Sequence, residues 1–344
     1  MKSQTYAEIK DQYNRLNTTL HYIDQKIGDT KHLFSKYPFV IYLGCGSSYY
    51  VAKSMAVSTM TALGKKAVAL PAGDVLLRPK RYKELFDNAL VVALSRSGST
   101  SEILLACGEM EKAGSNFALL SFSCRTDQQL AKISSYAFEM PWAFDNSVCQ
   151  TSSVSNLYFA PLYCISALSE NSGLRQSLKR AVELGERFMT ENEQAWKTIA
   201  EQDWNFGVTL GDAEIAGICE EGALAFKEIC QLPSNYYPLL DSRHGPVVIM
   251  NEKTLVIAAI SDVCSAYEKE LIGDIKKRNC KIVTISDLPL HIEGTVNFCF
   301  GEKLEYPALG LPLINAAQMI TCYKAQELNV DPDAPDGLDA WIKI

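Results

Sequence analysis

The sequence lacks most of the features that would assign it to a function class directly. It contains no run of about 20 apolar residues, so it predicts no membrane-spanning helix. Its first residues form no hydrophobic signal region, and we expect a cytoplasmic protein with no membrane partner. The net charge is −7 over 344 residues. Because a phosphate backbone requires a basic surface, this charge argues against nucleic acid as the main partner.

Patterns for metal binding and for disulfide frameworks are missing as well. The four histidines form no ligand-spaced pair such as H-x-x-x-H, and we predict no metal and no other cofactor. The 11 cysteines include no C-x-x-C pair, and their odd number leaves at least one thiol unpaired. Since they are scattered through apolar contexts, we expect buried free thiols of an intracellular protein rather than disulfides.

The most informative segment joins an apolar strand to a hydroxyl-rich turn. Val91–Leu94 runs into Ser-x-Ser-Gly-x-Thr at Ser95–Thr100, and residues 101–106 have the pattern of the first turns of a helix. Three hydroxyls and several backbone N–H groups would then lie at a helix N-terminus, which favours an anion. The turn lacks the Gly-Lys-Ser/Thr of a P-loop, so it indicates a sugar phosphate rather than a nucleotide triphosphate. An ordinary Ser/Gly turn is the alternative.

A second segment of the same kind lies about fifty residues earlier. The apolar stretch Phe39–Leu43 is followed by Gly44-Cys45-Gly46-Ser47-Ser48 and by a helical pattern. A G-x-G after a strand is a weak dinucleotide signal, and Tyr49 stands where the third glycine would be. The two units instead predict parallel strands of one sheet whose carboxyl ends share a crevice.

Strand and helix patterns alternate in both halves of the chain, which predicts two doubly wound parallel α/β domains of similar topology. We expect a helical segment at 1–35, a phosphate-binding domain at 36–170, a helical linker at 171–205 and a second domain at 206–344. The predicted strands of the first half are Phe39–Leu43, Lys66–Pro71, Ala89–Leu94, Phe117–Phe122 and Ala137–Met140. The second half is predicted to begin with a strand at Ala213–Ile218 or in the apolar residues just before it. Its other predicted strands are Val247–Met250, Thr254–Ala259, Lys281–Ser286 and Val296–Cys299.

Two stretches of the second half carry ionisable groups in suggestive settings. Residues 220–229 read as a helix in which Glu221, Ala225 and Glu228 share a face. His244 precedes Gly-Pro at the start of a predicted strand, an irregular turn of the kind that often displays functional groups. A solvated carboxylate for Glu228 and a surface or packing histidine for His244 are the alternatives.

Six short stretches occur in one order along the chain: Gly44–Ser48, Ser95–Thr100, Val148–Ser153, Glu221–Glu228, Arg243–Pro246 and Asp331–Leu338. Together they resemble the tandem sugar isomerase (SIS) domain family. The likeness is greatest to the isomerase half of glucosamine-6-phosphate synthase and to fructosamine-6-phosphate deglycases. The resemblance spans almost the whole chain and implies an enzyme that acts on a sugar phosphate.

The resemblance implies a role for each matching position. Glu228 would move a proton between C1 and C2, and His244 would open the sugar ring. In this family the histidine can reach the site from the partner subunit, so we expect a homodimer or a larger homo-oligomer. The residues implied to bind the phosphate and the sugar hydroxyls are Ser47, Ser48, Ser95, Arg96 through its backbone, Ser97, Thr100, Val148 and Gln150.

Departures from the synthase pattern affect the substrate. Ala225 and Ala340 stand where the synthase has lysines, although Lys343 is an alternative source of one amine. The chain begins with a predicted helix and not with a glutaminase, so we do not expect it to use glutamine. Without those amines a substrate that already carries nitrogen fits better, and we predict a fructosamine-6-phosphate deglycase. An aminosugar-phosphate deaminase or isomerase and a non-catalytic sugar-phosphate sensor are the alternatives.

Overall fold

The computed structural model describes residues 3–169, 172–261 and 265–339. Ala340 and Lys343 lie outside the described residues. The chain divides into two compact units, each built on one sheet. The first-sheet unit comprises residues 14–146, 150–169 and 172–175 with residue 339, and the second-sheet unit comprises 3–13, 147–149, 176–261 and 265–338.

The first-sheet unit contains a five-stranded parallel sheet in the order β2-β1-β3-β4-β5. Its central strands are mostly apolar because helices cover both faces of a parallel sheet. All seven residues of β3 are buried, for example. The strands are β1 (Phe39–Gly44), β2 (Lys66–Pro71), β3 (Ala89–Ser95), β4 (Phe117–Ser123) and β5 (Tyr136–Glu139).

Helices α1 and α9 each have residues in both units, and the other helices up to α8 belong to the first-sheet unit. The predicted helical segment at the start of the chain is interrupted by a 3₁₀ turn at Ile27–Thr30. The helices are α1 (Gln4–Lys26), α2 (Lys31–Lys36), α3 (Ser47–Leu63), α4 (Ala72–Leu77), α5 (Pro79–Phe86), α6 (Ser101–Lys112), α7 (Gln129–Ile133), α8 (Ser152–Leu168) and α9 (Ser172–Ala200).

The second-sheet unit repeats this topology. Its parallel sheet has the order β7-β6-β8-β9-β10, so the second strand of the unit lies at one edge beside the first, as in the first sheet. The strands are β6 (Phe206–Leu210), β7 (Ser234–Tyr237), β8 (Thr254–Ala259), β9 (Lys281–Ser286) and β10 (Val296–Cys299), and the helices are α10 (Ala216–Ile229), α11 (Ala266–Lys276) and α12 (Gly310–Leu328). The two parallel sheets confirm the predicted fold class.

One strand prediction in the second half is wrong, and another holds only in its second alternative. Ala213–Ile218 begins as a 3₁₀ turn and continues into α10, so the strand is the preceding apolar run that became β6. Val247–Met250 is not a strand, because Pro246–Ile249 forms a 3₁₀ turn. Gly245 enters that turn with φ of 115° and Pro246 occupies its first position, which overrides the strand preference of the valines.

The predicted domain boundaries stay a prediction. The two units interleave in sequence, since the first turns of α1 and residues 147–149 group with the second sheet. Within the residues that the structure describes, no helix is both long and apolar enough to cross a membrane.

Candidate functional site

The two hydroxyl-rich turns come directly after neighbouring strands of the first sheet. β1 and β3 pair in parallel, and the chain leaves them in the loops 45–46 and 96–100 that lead into α3 and α6. The sheet order reverses between these two strands, because β2 lies on one side of β1 and β3, β4 and β5 lie on the other. Ligands of open α/β sheets bind at such a switch point, outside the carboxyl ends of the strands. The predicted shared crevice therefore has its expected topology.

Three predicted phosphate-binding hydroxyls cluster in the turn after β3. Ser95 Oγ lies 2.7 Å from Thr100 Oγ1 and 3.5 Å from Ser97 Oγ. It also accepts the Gly98 N–H at 3.0 Å. Ser95 is buried, whereas Ser97 and Thr100 are half-buried. The buried Ser95 hydroxyl thus contacts three residues of the turn, whereas the Ser97 and Thr100 side chains remain partly exposed.

The N-terminus of α6 is open toward this turn. Thr100 is the N-cap residue, but its side chain makes no capping bond to α6, since it contacts Ser95 instead. The first N–H groups of a helix have no intrahelical partner and carry partial positive charge. Gly98 has φ of 64°, and a Cβ there would lie 2.8 Å from Gln128 Cβ. Only glycine fits this close turn.

The turn after β1 brings Ser47 and Ser48 to the start of α3, where both are buried. A Cβ on Gly44 would lie 2.5 Å from the Ser48 carbonyl carbon, so the glycine allows α3 to begin directly against the strand end. Cys45 in the same turn is half-buried, and burial, followed by the charge of Glu102, raises the pKa of its thiol to about 12. That thiol is a packing group rather than a nucleophile at neutral pH.

Arg96 is the one basic residue within the hydroxyl turn. Its side chain is only 7% exposed, and its guanidinium carbon lies 6.0 Å from the Phe144 ring centroid. Its backbone carbonyl accepts the Cys124 N–H at 3.1 Å, which ties the turn to the end of β4. The open N-terminus of α6 favours an anion in the first-sheet unit.

Gln150 carries a polar atom without a partner. Its Oε1 is buried and has no hydrogen-bond partner among the described residues. Buried polar atoms are paired in most native structures, so an orphan acceptor indicates a bound group or water. Close to it in sequence, the buried Asp145 Oδ2 accepts the N–H groups of Thr151 and Ser153 at 2.8 and 2.7 Å. Asp145 was not predicted from the sequence.

Val148 lies in the second-sheet unit, where two acidic residues hold its segment. Its N–H donates to the Asp333 carbonyl at 3.1 Å, and the Ser147 hydroxyl donates to the fully buried Glu8. Asp333 also accepts the N–H groups of Gln4 and Thr5 at the start of α1. Sequence reasoning missed Glu8 and Asp333 as well, although Asp333 falls inside a stretch that carried the resemblance.

Glu228 is half-buried near the end of α10, on the helix face predicted from the sequence. Ala225, one turn earlier, is only 6% exposed, and Glu221 is buried. Three residues beyond Glu228, the Gln231 side chain donates to the Asp336 carbonyl at 2.9 Å. The chain's final described segment therefore docks against the end of the helix that carries the predicted base.

His244 is exposed between two 3₁₀ turns. The sequence had predicted that it lies at the start of a strand. Its N–H donates to the Asp241 carbonyl, and Arg243 anchors the segment through a 2.6 Å ion pair with Asp274 on α11. Glu228 and His244 thus lie on separate elements of the second-sheet unit. Among the described residues, no group of three His, Cys, Asp or Glu side chains is placed to hold a metal ion.

Comparison with known proteins assigns the first sheet to a family. Residues 33–160 match the model of the SIS domain. This stretch contains all of the first sheet and both hydroxyl-rich turns, and it is a SIS domain. The predicted resemblance is therefore confirmed, and the second sheet repeats the same strand order.

Three proteins show how far the similarity extends. The chain is 27% identical to D-galactosamine-6-phosphate deaminase AgaS of Shewanella sp. (strain ANA-3), over 86% of this chain and 77% of that protein. It is 25% identical to a glutamine–fructose-6-phosphate aminotransferase (isomerizing) of Sulfolobus acidocaldarius, over 98% of this chain but only 54% of that protein. A crystal structure of glucosamine-6-phosphate deaminase from Thermotoga maritima superposes with a TM-score of 0.80 at 24% identity, covering 99% of this chain and all of that one. That last likeness shows the fold alone.

Proposed function

We propose that the protein is a fructosamine-6-phosphate deglycase, an enzyme that releases an amine from an Amadori-type sugar 6-phosphate. Its relatives are enzymes of sugar-phosphate isomerisation and deamination, so the chain is an isomerase-type enzyme acting on sugar or aminosugar phosphates. The hydroxyl turn at the open N-terminus of α6 is the single observation that carries the proposal, because it fits a phosphate monoester.

In this proposal the first-sheet unit binds the sugar phosphate. Ser97 and Thr100 donate hydroxyl hydrogen bonds to the phosphate oxygens, and the first N–H groups of α6 complete its coordination. Ser47 and Ser48 contact sugar hydroxyls from the neighbouring turn. The orphaned Gln150 Oε1 accepts a hydrogen bond from a further hydroxyl.

The proposed chemistry is a proton transfer followed by hydrolysis. Glu228 removes a proton from C1 of the ketosamine, and the C2 oxygen is protonated, which gives an enaminol. A proton is then returned to C2 while the amine loses its N–H proton, so the C2 ketone has become an alcohol and C1 has become an imine. Water then adds to C1, the C–N bond breaks, and the amine leaves with an aldose 6-phosphate. A positioned carboxylate is suited to such transfers, and His244 would assist ring opening because an imidazole ring can both donate and accept a proton.

The choice of a deglycase depends on Ala225. The synthase pattern places a lysine at this position, and here a buried methyl group faces the same way as Glu228 along α10. A substrate that brings its own nitrogen needs no enzyme amine to form an imine. A deaminase acting on an aminosugar 6-phosphate is the second candidate, favoured by the similarity to D-galactosamine-6-phosphate deaminase.

We also propose that the active form is a homodimer or larger homo-oligomer in the cytoplasm. His244 lies in a segment that exposes three large apolar side chains: Leu240, Val248 and Ile249 at 43%, 66% and 49% exposure. Such a patch beside a predicted catalytic residue fits a subunit interface. Sedimentation of the active enzyme would measure its oligomeric state, and an active monomer would contradict the proposal. The described cysteines are free thiols, which supports a reducing compartment.

A substrate panel tests the proposed function. Purified protein is incubated with fructosamine 6-phosphates, galactosamine 6-phosphate, glucosamine 6-phosphate and fructose 6-phosphate, and the release of amine and hexose phosphate is measured. We expect turnover of a fructosamine 6-phosphate and much slower conversion of fructose 6-phosphate. Ammonia release from an aminosugar 6-phosphate alone would establish the deaminase. Thermal stabilisation by a sugar phosphate with no turnover in the panel would establish a sensor and overturn the enzyme.

A further inference from the structure

The start of helix α1 is capped by a residue from the other end of the chain. Asp333 Oδ2 accepts the Gln4 N–H at 2.8 Å, and Asp333 Oδ1 accepts the Thr5 N–H at 2.7 Å. The next N–H group, that of Tyr6, donates to the Ser3 hydroxyl oxygen at 3.1 Å. Because α1 has no acidic residue in its own first turn, the Asp333 carboxylate also supplies the negative charge that a helix N-terminus favours.

The segment around Asp333 is anchored at both of its ends. The Thr5 hydroxyl has one hydrogen to donate, and it lies 2.8 Å from both Asp333 Oδ1 and the Pro332 carbonyl oxygen. Pro332 is buried, and Asp333 is half-buried. Further along, the Gln231 side chain donates to the Asp336 carbonyl at 2.9 Å. The segment is therefore fixed on α1 at one end and just beyond α10 at the other.

This anchored segment in turn holds Val148, which the resemblance implies in sugar binding. The Asp333 carbonyl accepts the Val148 N–H at 3.1 Å, within the normal range for such a bond. One residue thus contacts α1 through its carboxylate and Val148 through its main chain. Because the Gln4 and Thr5 groups of α1 fix the carboxylate, the Asp333 carbonyl has little freedom to move away from Val148.

Glu8 holds the neighbouring residue from the same face of α1. It lies three residues after Thr5, so the two side chains are neighbours on the helix surface. Ser147 donates both its hydroxyl and, at 3.4 Å, its N–H to the Glu8 carboxylate. Glu8 is fully buried, and a buried carboxylate depends on such donors. The first two turns of α1 therefore hold Ser147 directly and Val148 through Asp333.

We propose that Asp333 is a positioning residue for the sugar-binding segment at Val148. Its carboxylate fixes the end of the chain on α1, and its carbonyl thereby sets the position of the Val148 backbone. The proposal rests on the proposed function in one respect, since it takes Val148 as a contact of the sugar hydroxyls. Phosphate binding is assigned to the hydroxyl turn of the first-sheet unit. Loss of the Asp333 carboxylate should therefore weaken recognition of the sugar and leave recognition of the phosphate unchanged.

Hydrogen exchange, followed by mass spectrometry, tests the positioning in the full chain without ligand. Asp333→Ala removes the carboxylate and keeps the main-chain carbonyl. We expect amide exchange of residues 147–149 and of the first turn of α1 to become roughly fivefold faster, as the loss of a helix cap would cause. Asp336→Ala is the matched control, since it changes an exposed aspartate of the same segment and should leave this exchange at the wild-type level. Unchanged exchange of residues 147–149 in Asp333→Ala, or equal acceleration in both variants, would overturn the proposal.

Ligand binding separates a positioning role from a merely structural one. The two probes are D-glucitol 6-phosphate, which has sugar hydroxyls but no carbonyl to react, and ethyl phosphate, which offers only the phosphate. By titration calorimetry, we expect Asp333→Ala to bind glucitol 6-phosphate roughly three- to tenfold more weakly, about the value of one hydrogen bond. It should bind ethyl phosphate as the wild type does, and Asp336→Ala should bind both probes normally. Weakening of both probes by the same factor in Asp333→Ala would show a structural role only and overturn the proposal.

Two gentler variants test the same contact from each side. Asp333→Asn keeps an oxygen for the Thr5 N–H and hydroxyl, and asparagine caps helices as well as aspartate does, so it should recover most of the affinity for glucitol 6-phosphate. Thr5→Val removes the partner hydroxyl and should weaken glucitol 6-phosphate but not ethyl phosphate. Wild-type affinity for glucitol 6-phosphate in both Asp333→Ala and Thr5→Val would overturn the positioning role alone. Absence of glucitol 6-phosphate binding by the wild type would instead contradict the proposed sugar-phosphate site, while the exchange measurement still decides whether Asp333 holds residues 147–149.

Discussion

The two sheets share one topology and differ in the loops at the carboxyl ends of their strands. In the first unit, the loop after β3 is Arg-Ser-Gly-Ser-Thr, with Gly98 at positive φ and an open helix N-terminus behind it. In the second unit, the equivalent strand β8 leads toward α11, whose N-terminus is closed by the Ser265–Glu268 capping box. One helix start is therefore available to an anion and the other is already occupied by the chain's own carboxylate.

This difference separates what the fold provides from what the side chains provide. The switch point creates a crevice in both sheets because the strand order reverses there. Hydroxyls and open N–H groups suit the first crevice to a phosphate, whereas Asp212, Glu268 and Asp287 make the second one repel it. A repeated fold thus predicts where ligands bind but not which ligands they are.

The largest effect should come from the predicted base in the second-sheet unit. Glu228→Gln keeps the size and most of the hydrogen bonding of the side chain but removes its ability to take a proton. We expect turnover of the preferred sugar phosphate to fall by roughly 10²–10⁴ while binding persists. Steady-state kinetics and calorimetry on the same preparation measure the two quantities.

A neighbouring glutamate supplies the matched control for this experiment. Glu220 is also half-buried on α10, two turns before Glu228, and Glu220→Gln makes the same chemical change. The control should retain most of the activity. Wild-type turnover in Glu228→Gln, or an equal loss in both variants, would contradict the assignment of the base.

A smaller effect is expected in the hydroxyl turn of the first sheet. Ser97→Ala and Thr100→Val each remove one donor to a charged acceptor, which should weaken binding of the phosphorylated sugar by about 1.5–3 kcal/mol. Affinity for the unphosphorylated sugar should hardly change. Titration of each variant with both ligands separates a lost phosphate contact from a general loss of the site.

Ser99→Ala is the control for the two hydroxyl variants. Ser99 lies in the same turn, but it is exposed and its hydroxyl donates to Gln128 at 2.9 Å. Its removal should leave phosphate affinity within a factor of about two, since surface substitutions of this kind have small effects. If Ser99→Ala weakens phosphate binding as much as the other two variants do, the loss comes from a change in the whole turn, and the roles assigned to Ser97 and Thr100 are wrong.

Local sequence signals predicted most of the sheets. Lys66–Pro71, Thr254–Ala259 and Lys281–Ser286 match β2, β8 and β9 to the residue, since each is an apolar run bounded by turn residues. β7 was missed because its four residues, Ser-Asn-Tyr-Tyr, have no apolar alternation and depend on pairing with β6. Tertiary context also overrode the strand preference of the residues after Gly245, which form a 3₁₀ turn.

The hydroxyl turn could be predicted from the sequence, but the long-range contacts of Glu8 and Asp333 could not. Ser95, Ser97 and Thr100 lie within six residues, so one short motif contains the whole cluster. Glu8 meets Ser147 across 139 positions, and Asp333 meets Gln4 across 329. Nothing in the sequence links such residues, because each becomes significant only once the fold has brought the chain together.

The smallest effect concerns the glycine that shapes the hydroxyl turn. Gly98 and Gly64 have almost the same φ, 64° and 62°, but a Cβ on Gly64 would meet no atom within 4 Å while one on Gly98 would lie 2.8 Å from Gln128 Cβ. Alanine at either position is strained by the left-handed region, and only Gly98→Ala adds the overlap. We expect Gly98→Ala to lower the free energy of unfolding by about 1 kcal/mol more than Gly64→Ala, measured by urea denaturation. Since the added methyl also displaces the turn, phosphate affinity should fall in Gly98→Ala and stay at the wild-type level in Gly64→Ala. Equal stability and equal affinity of the two variants would show that the turn tolerates a shift, and that its close packing against Gln128 is not what positions the hydroxyls.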